Sequence, residues 1–162
     1  MMKYSVLDII KGTTVDGPGF RTSIYLAGCN HHCKGCHNPS SWDESNGCPM
    51  SLEDLIKVVE EEDFDVTLTG GDPLFNPSSI KELIKSLKIN RRNVWIYTGY
   101  TWEEIVKSPL LYDAIKECDV VVDGEFREDL KDPDLPFRGS SNQRIIDIKE
   151  TIKQGHIILL KR

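Results

Sequence analysis

The chain has 162 residues, with 20 Lys plus Arg against 26 Asp plus Glu, a net charge of −6. That acidic balance argues against broad binding to a nucleic-acid backbone, which needs a basic face. A hydrophobic fraction of 39% excludes a disordered acidic segment and suffices for a core. The longest stretch without a charged residue, 22–33, is 12 residues, short of the roughly 20 that a spanning helix needs, so no membrane segment is expected. The opening MMKYSVLD meets Asp8 before a signal-peptide apolar region could form, and five cysteines, an odd number, do not suit a disulfide framework. Both features predict an intracellular, cytoplasmic protein. No Gly/Ser-rich or Pro-rich linker divides the chain, so residues 1–162 are expected to form one domain.

Four short β-branched runs are the predicted strands. They are 22–27 (TSIYLA) before Gly28 and the cysteines, 66–69 (VTLT) before Gly70 and Gly71, 94–98 (VWIYT) before Gly99, and 120–123 (VVVD) before Gly124. They mostly lack alternation, as strands buried on both faces of a parallel sheet do. Helices are predicted between them. Leu52, Leu55, Ile56 and Val59 recur at helical spacing, as do Ile80, Leu83, Ile84 and Leu87, and then Leu111, Ala114, Ile115 and Cys118. Ser51 with Asp54, Ser79 with Glu82, and Thr101 with Glu104 read as capping boxes, and Pro109 divides the third helical stretch. Strand, loop and capped helix in repetition predict βαβ units. The chain is too short for an eight-fold barrel of typically about 250 residues, leaving part of one or an open sheet. Two apolar runs in the tail, 145–148 and 157–160, have no assignable pairing. The acidic side of the first helix, with Glu53, Asp54, Glu60, Glu61 and Glu62, reads as a solvated face.

Cys29, Cys33 and Cys36 follow the first predicted strand with the spacing C-x3-C-x2-C. Thiolates select zinc, copper(I) or iron–sulfur clusters. One reading is structural zinc, with His31, His32 or His37 as fourth ligand, or Cys48 from 12 residues further on. The other is a [4Fe–4S] cluster on three cysteines, which leaves one iron open to a substrate; the absence of a second cysteine pair favours it. Cys118, on the apolar side of its helical pattern, reads as a buried small hydrophobe, and Cys48 as incidental.

The cysteine loop resembles the signature of the radical S-adenosylmethionine enzymes. Asp16, Gly17, Pro18, Gly19 and Arg21 before it, and Gly70, Gly71, Asp72 and Pro73 after it, resemble the activating proteins of glycyl-radical enzymes. The stretches 36–38 (CHN) with Trp42, 97–100 (YTGY), 122–124 (VDG) and 138–144 (RGSSNQR) are similar to the activators of anaerobic (class III) ribonucleotide reductases. The resemblance covers about residues 4–148. It implies an α/β fold of the truncated TIM-like type, a [4Fe–4S] cluster on Cys29, Cys33 and Cys36, and S-adenosylmethionine chelating the fourth iron. Reductive cleavage would give a 5′-deoxyadenosyl radical that takes hydrogen from a glycine of the reductase. A different glycyl-radical protein as target, or a zinc-stabilised binding module, are the alternatives. Implied partners are the reductase and a low-potential electron donor such as flavodoxin.

By the same resemblance Gly35, Cys36, His37, Gly70, Gly71, Asp72 and Thr98 surround the S-adenosylmethionine. Gly35 stands where many superfamily members carry an aromatic residue. Two readings stay open at several positions. Gly70 and Gly71 either let carbonyls approach the substrate ammonium or form an ordinary turn. Asp72 either supports that ammonium or hydrogen-bonds the loop. Thr98 either meets the cosubstrate or packs at its strand end. The turn 16–19 either touches the cluster or shapes the entrance to the first strand, and Arg21 is expected to be free for a carboxylate. Segment 138–144 either contacts the cofactor or docks the reductase.

Overall fold

Residue alternation along one strand separates two kinds of buried surface. In a computed structural model that describes residues 2–161, strand β2 (Arg21–Leu26) sends Ile24 and Leu26 to one face and Arg21, Ser23 and Tyr25 to the other. Ile24 aligns with Leu68 of β4 (Asp65–Gly70), Ile96 of β5 (Val94–Tyr97) and Val121 of β6 (Val120–Asp123). These four strands are parallel, as their uninterrupted hydrophobic runs predict. Their Ile24 face packs against α1 (Leu52–Glu62), α2 (Pro77–Ile89), α3 (Trp102–Lys107) and α4 (Pro109–Ile115) in the main core.

The opposite face is polar towards β2 and aromatic towards β6. Ser23, Thr67, Trp95 and Val120 lie across it in register. A smaller cluster of Trp95, Val120, Val122 and Ile145 is closed over by Tyr97, Phe137 and Leu160.

Three antiparallel strands complete a seven-stranded sheet of order β3-β1-β2-β4-β5-β6-β7. They are β1 (Lys3–Thr13), β3 (Cys48–Ser51) and β7 (Arg144–Asp147). β1 carries Asp8 and Lys11 and is half exposed, so it lacks a hydrophobic run; β3 contains Pro49, which an edge strand tolerates. The tail runs left unpaired now have places. Run 145–148 divides into β7 and the first residue of α5 (Ile148–Gln154). Run 157–160 bonds back to β7 through Asp147 N–Ile158 O and Leu160 N–Ile145 O, both 2.9 Å. The sheet is mixed, with β3 and β7 at its edges and α1 to α4 on one face, an α/β fold as expected.

Local capping follows the sequence in two of three cases. The Ser51/Asp54 and Thr101/Glu104 boxes both form, and Ser108 ends α3 and begins α4, as Pro109 predicts. Ser79/Glu82 forms no box. Pro77 at the first helical position starts α2 earlier, with Asn76 as N-cap, and the Ser79 carbonyl accepts a bond from Tyr4 Oη at 2.7 Å.

Arg21 is the correction of most consequence. It is 2% exposed and not free for a carboxylate. Its Nε donates to Thr67 Oγ1 at 2.9 Å, and Nη2 donates to Val66 O at 2.8 Å and to Asn93 O and Oδ1 at 3.0 and 2.9 Å. The guanidinium lies 5.6 Å from the Trp95 ring centroid. Burial lowers its pKa. The turn 16–19 folds over the same face: Asp16 Oδ2 accepts from Tyr25 Oη at 2.5 Å, and Asp16 O accepts from Thr67 Oγ1 at 2.9 Å. Its described bonds go to β2 and β4 rather than to the cysteines, in keeping with the reading of a turn that shapes the strand entrance. Arg21→Leu removes the side-chain donor from Val66 O, Thr67 Oγ1 and the Asn93 oxygens, although Asn93 O keeps its bond from Val66 N. It is expected to cost roughly 2–3 kcal/mol in urea unfolding, with a similar loss in Arg21→Lys, whose ammonium cannot reproduce the fork.

Candidate functional site

The carboxyl ends of β2, β4, β5 and β6 lie along one rim, where open α/β sheets place their ligands. Every residue singled out from the sequence as a site residue falls at this rim, in a loop or, for Gly70, at the strand end. Cys29, Cys33, Gly35, Cys36 and His37 follow β2, Gly70, Gly71 and Asp72 close β4, and Thr98 follows β5.

Backbone contacts draw the first two loops together. Gly28 N donates to Ser41 O at 2.7 Å and Cys29 N to Trp42 O at 3.1 Å, so the cysteine loop returns along its own start. Gly71 N donates to Leu26 O and Asp72 N to Gly28 O, both at 2.7 Å. A Cβ on Gly71 would run into the Gly28 and Ser41 carbonyl oxygens, and Gly70 has φ +107° against the Leu26 backbone. Both glycines are therefore required by the chain's own packing, before any ligand is considered.

Asp72 is the hub of the rim. Its side chain is 2% exposed. Oδ1 accepts from Leu74 N at 2.9 Å, capping the 3-10 turn Pro73–Phe75. Oδ2 accepts from Thr98 Oγ1 at 2.9 Å and Gly99 N at 3.0 Å, and it faces His31 Nε2 at 2.7 Å. The other ring nitrogen, His31 Nδ1, stands 2.9 Å from Glu125 Oε2. The hydrogen bond to Asp72 is the main reason that the His31 pKa is raised. The ring lies edge-on to Tyr100 at 4.7 Å and occupies the space beside Gly99, where a Cβ would come within 2.6 Å of it. Asp72 thus bonds the loop around it, and Thr98, just past its strand end, bonds Asp72.

All five cysteines are free thiols, with Cys29 and Cys118 buried, Cys33 and Cys36 half-buried and Cys48 exposed. Burial pushes the Cys29 thiol up, and the His31 amide, 3.4 Å from its sulfur, acts against that together with the His32 amide. Burial also pushes Cys33 up, against a hydrogen bond from the Phe126 backbone. Cys36 adds to the upward push on both, and Cys29 to that on Cys33. Cys118 makes only a long contact with Val120 O at 3.8 Å, as a small buried hydrophobe would. Cys48 opens β3, on the far side of β1 from β2.

The donor set suits an iron–sulfur cluster. A [4Fe–4S] cube takes one thiolate on each iron and accepts N–H bonds at sulfur; three cysteines on one short loop, with the His31 amide directed at Cys29, are donors of that kind. Among the described residues no three Cys, His, Asp or Glu side chains converge on one point as a bound metal ion would need. The histidines have other partners. His31 faces two carboxylates, His32 stacks on Trp42 at 4.5 Å, and His37 lies 5.4 Å from Phe126.

Sequence reasoning missed the loop after β6. Glu125 reaches His31, Phe126 serves Cys33, and the Glu128 side chain lies where a Cβ on Gly35 would meet it at 3.1 Å. The available signal was the acidic-aromatic run directly after the strand-ending Gly124, at the rim where ligands bind.

Known proteins match most of the chain. Residues 15–146 match the model of the 4Fe-4S single cluster domain. The anaerobic ribonucleoside-triphosphate reductase-activating protein of Escherichia coli K12 is 36% identical over 140 residues, covering 80% of this chain and 89% of the relative. Those of Pasteurella multocida and phage T4 are 36% and 34% identical, covering 81% of this chain and 89% and 86% of the relatives. Among the described residues no helix is long and apolar enough to cross a membrane. Gly71→Ala, which drives a methyl into two backbone carbonyls, is expected to cost about 1–3 kcal/mol in urea unfolding. An unchanged midpoint and slope would show that the two loops are not in contact.

Proposed function

Because the chain belongs to the family of anaerobic ribonucleoside-triphosphate reductase-activating proteins, we propose that it activates such a reductase by installing a glycyl radical. The observation that carries the reading is one loop bearing the three cysteines, fastened to the Gly-Gly-Asp-Pro turn through His31 and Asp72 at the carboxyl rim. Cys29, Cys33 and Cys36 would hold a [4Fe–4S] cluster, with no fourth protein ligand. When bound, the cluster and S-adenosylmethionine supply a one-electron reductive cleavage of the sulfonium, whose 5′-deoxyadenosyl radical takes a hydrogen atom from a reductase glycine.

The chain's own residues set up that chemistry. Gly28, Gly70 and Gly71 let three backbones meet, which fixes where the cysteine loop leaves β2. Asp72, held by Thr98 and Gly99, positions His31 and with it the turn between Cys29 and Cys33. Gly35, Cys36, His37, Gly70, Gly71, Asp72 and Thr98 would surround the cosubstrate, Gly35 leaving room beside Glu128. The sheet, with helices on one face, reads as a truncated TIM-like barrel of one domain, residues 1–162. Its rim would stay open enough for a protein loop. A low-potential donor such as flavodoxin would supply the electron, in the cytoplasm, without nucleic acid or membrane.

Anaerobic reconstitution tests this. The expected product is brown, with four iron and four sulfide per chain, and a reduced EPR signal that changes on adding S-adenosylmethionine. Mixing with reductase and reductant should give a glycyl-radical doublet. Cys29→Ala, Cys33→Ala and Cys36→Ala should each abolish S-adenosylmethionine cleavage, and Cys48→Ala and Cys118→Ala should retain it. A colourless protein with one tightly bound zinc overturns the enzyme, and a competent cluster without the doublet overturns the choice of target.

A further inference from the structure

The middle of the cysteine loop owes its place to side chains. Backbone bonds hold its two ends, Gly28 N to Ser41 O and Cys29 N to Trp42 O. Between them the chain turns on itself, Cys36 N donating to Cys33 O at 3.1 Å, and His32 stacks on Trp42 of the same loop. Contacts that leave the loop come from its other residues. The His31 ring meets Asp72 Oδ2 at 2.7 Å on one side and Glu125 Oε2 at 2.9 Å on the other. The His37 ring lies 5.4 Å from Phe126, and the Glu128 side chain stands where a Cβ on Gly35 would meet it at 3.1 Å. Residues 125–128, just past β6, therefore accompany the loop from His31 to His37, the stretch that carries Cys33 and Cys36.

The backbone under Glu125 is fixed from the far side. Its carbonyl accepts from Asn142 Nδ2 at 2.8 Å, and Gly124 O accepts from Gln143 Nε2 at 3.0 Å. Its side chain is 53% exposed, against 11% for His31 and 2% for Asp72. A pair exposed to that degree adds little to global stability. Asp72 is built into the folded rim, whereas losing the Glu125 carboxylate frees one side of the imidazole and leaves the helix-side core untouched. We propose that Glu125 is a positioning residue of the cysteine loop: by bonding His31 Nδ1 it latches the stretch with Cys33 and Cys36 against the loop after β6, and so sets how long a bound cluster is retained. The inference rests on the reading of the cysteines as cluster ligands and adds to their cradle a side chain from outside the loop. The latch requires a hydrogen bond rather than a charge. A carboxamide carries both a donor and an acceptor, so Glu125→Gln can still bond Nδ1 whichever tautomer the ring adopts, and Glu125→Ala cannot.

The test compares wild type, Glu125→Gln, Glu125→Ala and the distant exposed control Glu61→Gln, each as the full chain. In the metal-free protein, mass spectrometry follows trypsin cleavage after the exposed Lys34, inside the latched stretch; cleavage after Lys107, at the end of α3, is the internal reference. In the anaerobically reconstituted protein, the fading of the brown absorbance follows loss of iron to excess chelator. Glu125→Ala is expected to speed both processes about tenfold, the lower end of what losing an outer-shell partner costs. Its Lys107 rate and urea midpoint should match wild type. Glu125→Gln and the control should stay within about twofold of wild type, a rescue that general loosening would not give. Wild-type rates for Glu125→Ala in either assay overturn the latch alone. So does a Glu125→Gln as fast as Glu125→Ala, or an equal acceleration after Lys107. A wild type that takes up no iron and sulfide overturns the reading of the cysteines and the retention claim with it.

Discussion

A carboxylate taken out of water must find donors or give up its charge. Asp72, 2% exposed, meets that demand by gathering groups from separate parts of the chain. Leu74 N comes from its own turn, Thr98 and Gly99 from the end of β5, and His31 from the middle of the cysteine loop. His31 then presents its second nitrogen to Glu125 beyond β6. One carboxylate and one imidazole therefore tie together the loops leaving four parallel strands. A rim built from unconnected loops would leave the cysteines on a mobile tether; the buried charge makes the arrangement of the loops a condition of folding.

The face away from the helices uses the same device with the sign reversed. Arg21 puts a cation between β2 and β4 and satisfies it with backbone and side-chain oxygens rather than with an opposing charge. That choice suits its place. The Asp16 turn, Thr67 and Asn93 converge there, and a planar fork with several donors can hold them in fixed relation. The aliphatic helix-side core supplies most of the apolar burial, so the other face can carry polar groups without carrying the stability of the sheet alone. The two buried charges act on opposite sides of one task, holding the strands so that their carboxyl ends meet.

What was legible in the sequence was local. Helical spacing placed all four buried residues of α2, and β-branched runs placed all four parallel strands within a residue or two. The cysteine spacing marked a loop that leaves β2 at the carboxyl rim. The signal failed where a competing local rule or a distant partner decides. Ser79 with Glu82 has the composition of a capping box, but Pro77 two residues earlier starts the helix first. β1 and β3 owe their pairing to each other and to β2, and neither Pro49 nor the charged alternation of β1 carries a strand signature. Arg21 is placed by Asn93, 72 residues away, and His31 by Glu125, 94 residues away. Such pairs have no trace in a window of sequence.

The electrostatics of the cysteine loop follow from these distant pairings. Burial raises both Cys29 and Cys33, and Asp72 and Glu125 act in the same direction on one or the other. In the metal-free chain this favours neutral thiols, whereas a cluster requires thiolates, so loading it must release protons. The carboxylates that raise the thiols are those that fasten the loop through His31, so they cannot be removed without losing the geometry. Amides are the available remedy. The N–H of His31 brings a positive dipole end to the Cys29 sulfur without adding a titratable group. Its direction depends on contacts outside the cysteine loop, those of the His31 ring with Asp72 and Glu125. A cysteine loop set beside two carboxylates needs a rigid surround, and the long-range bonds of the rim provide it.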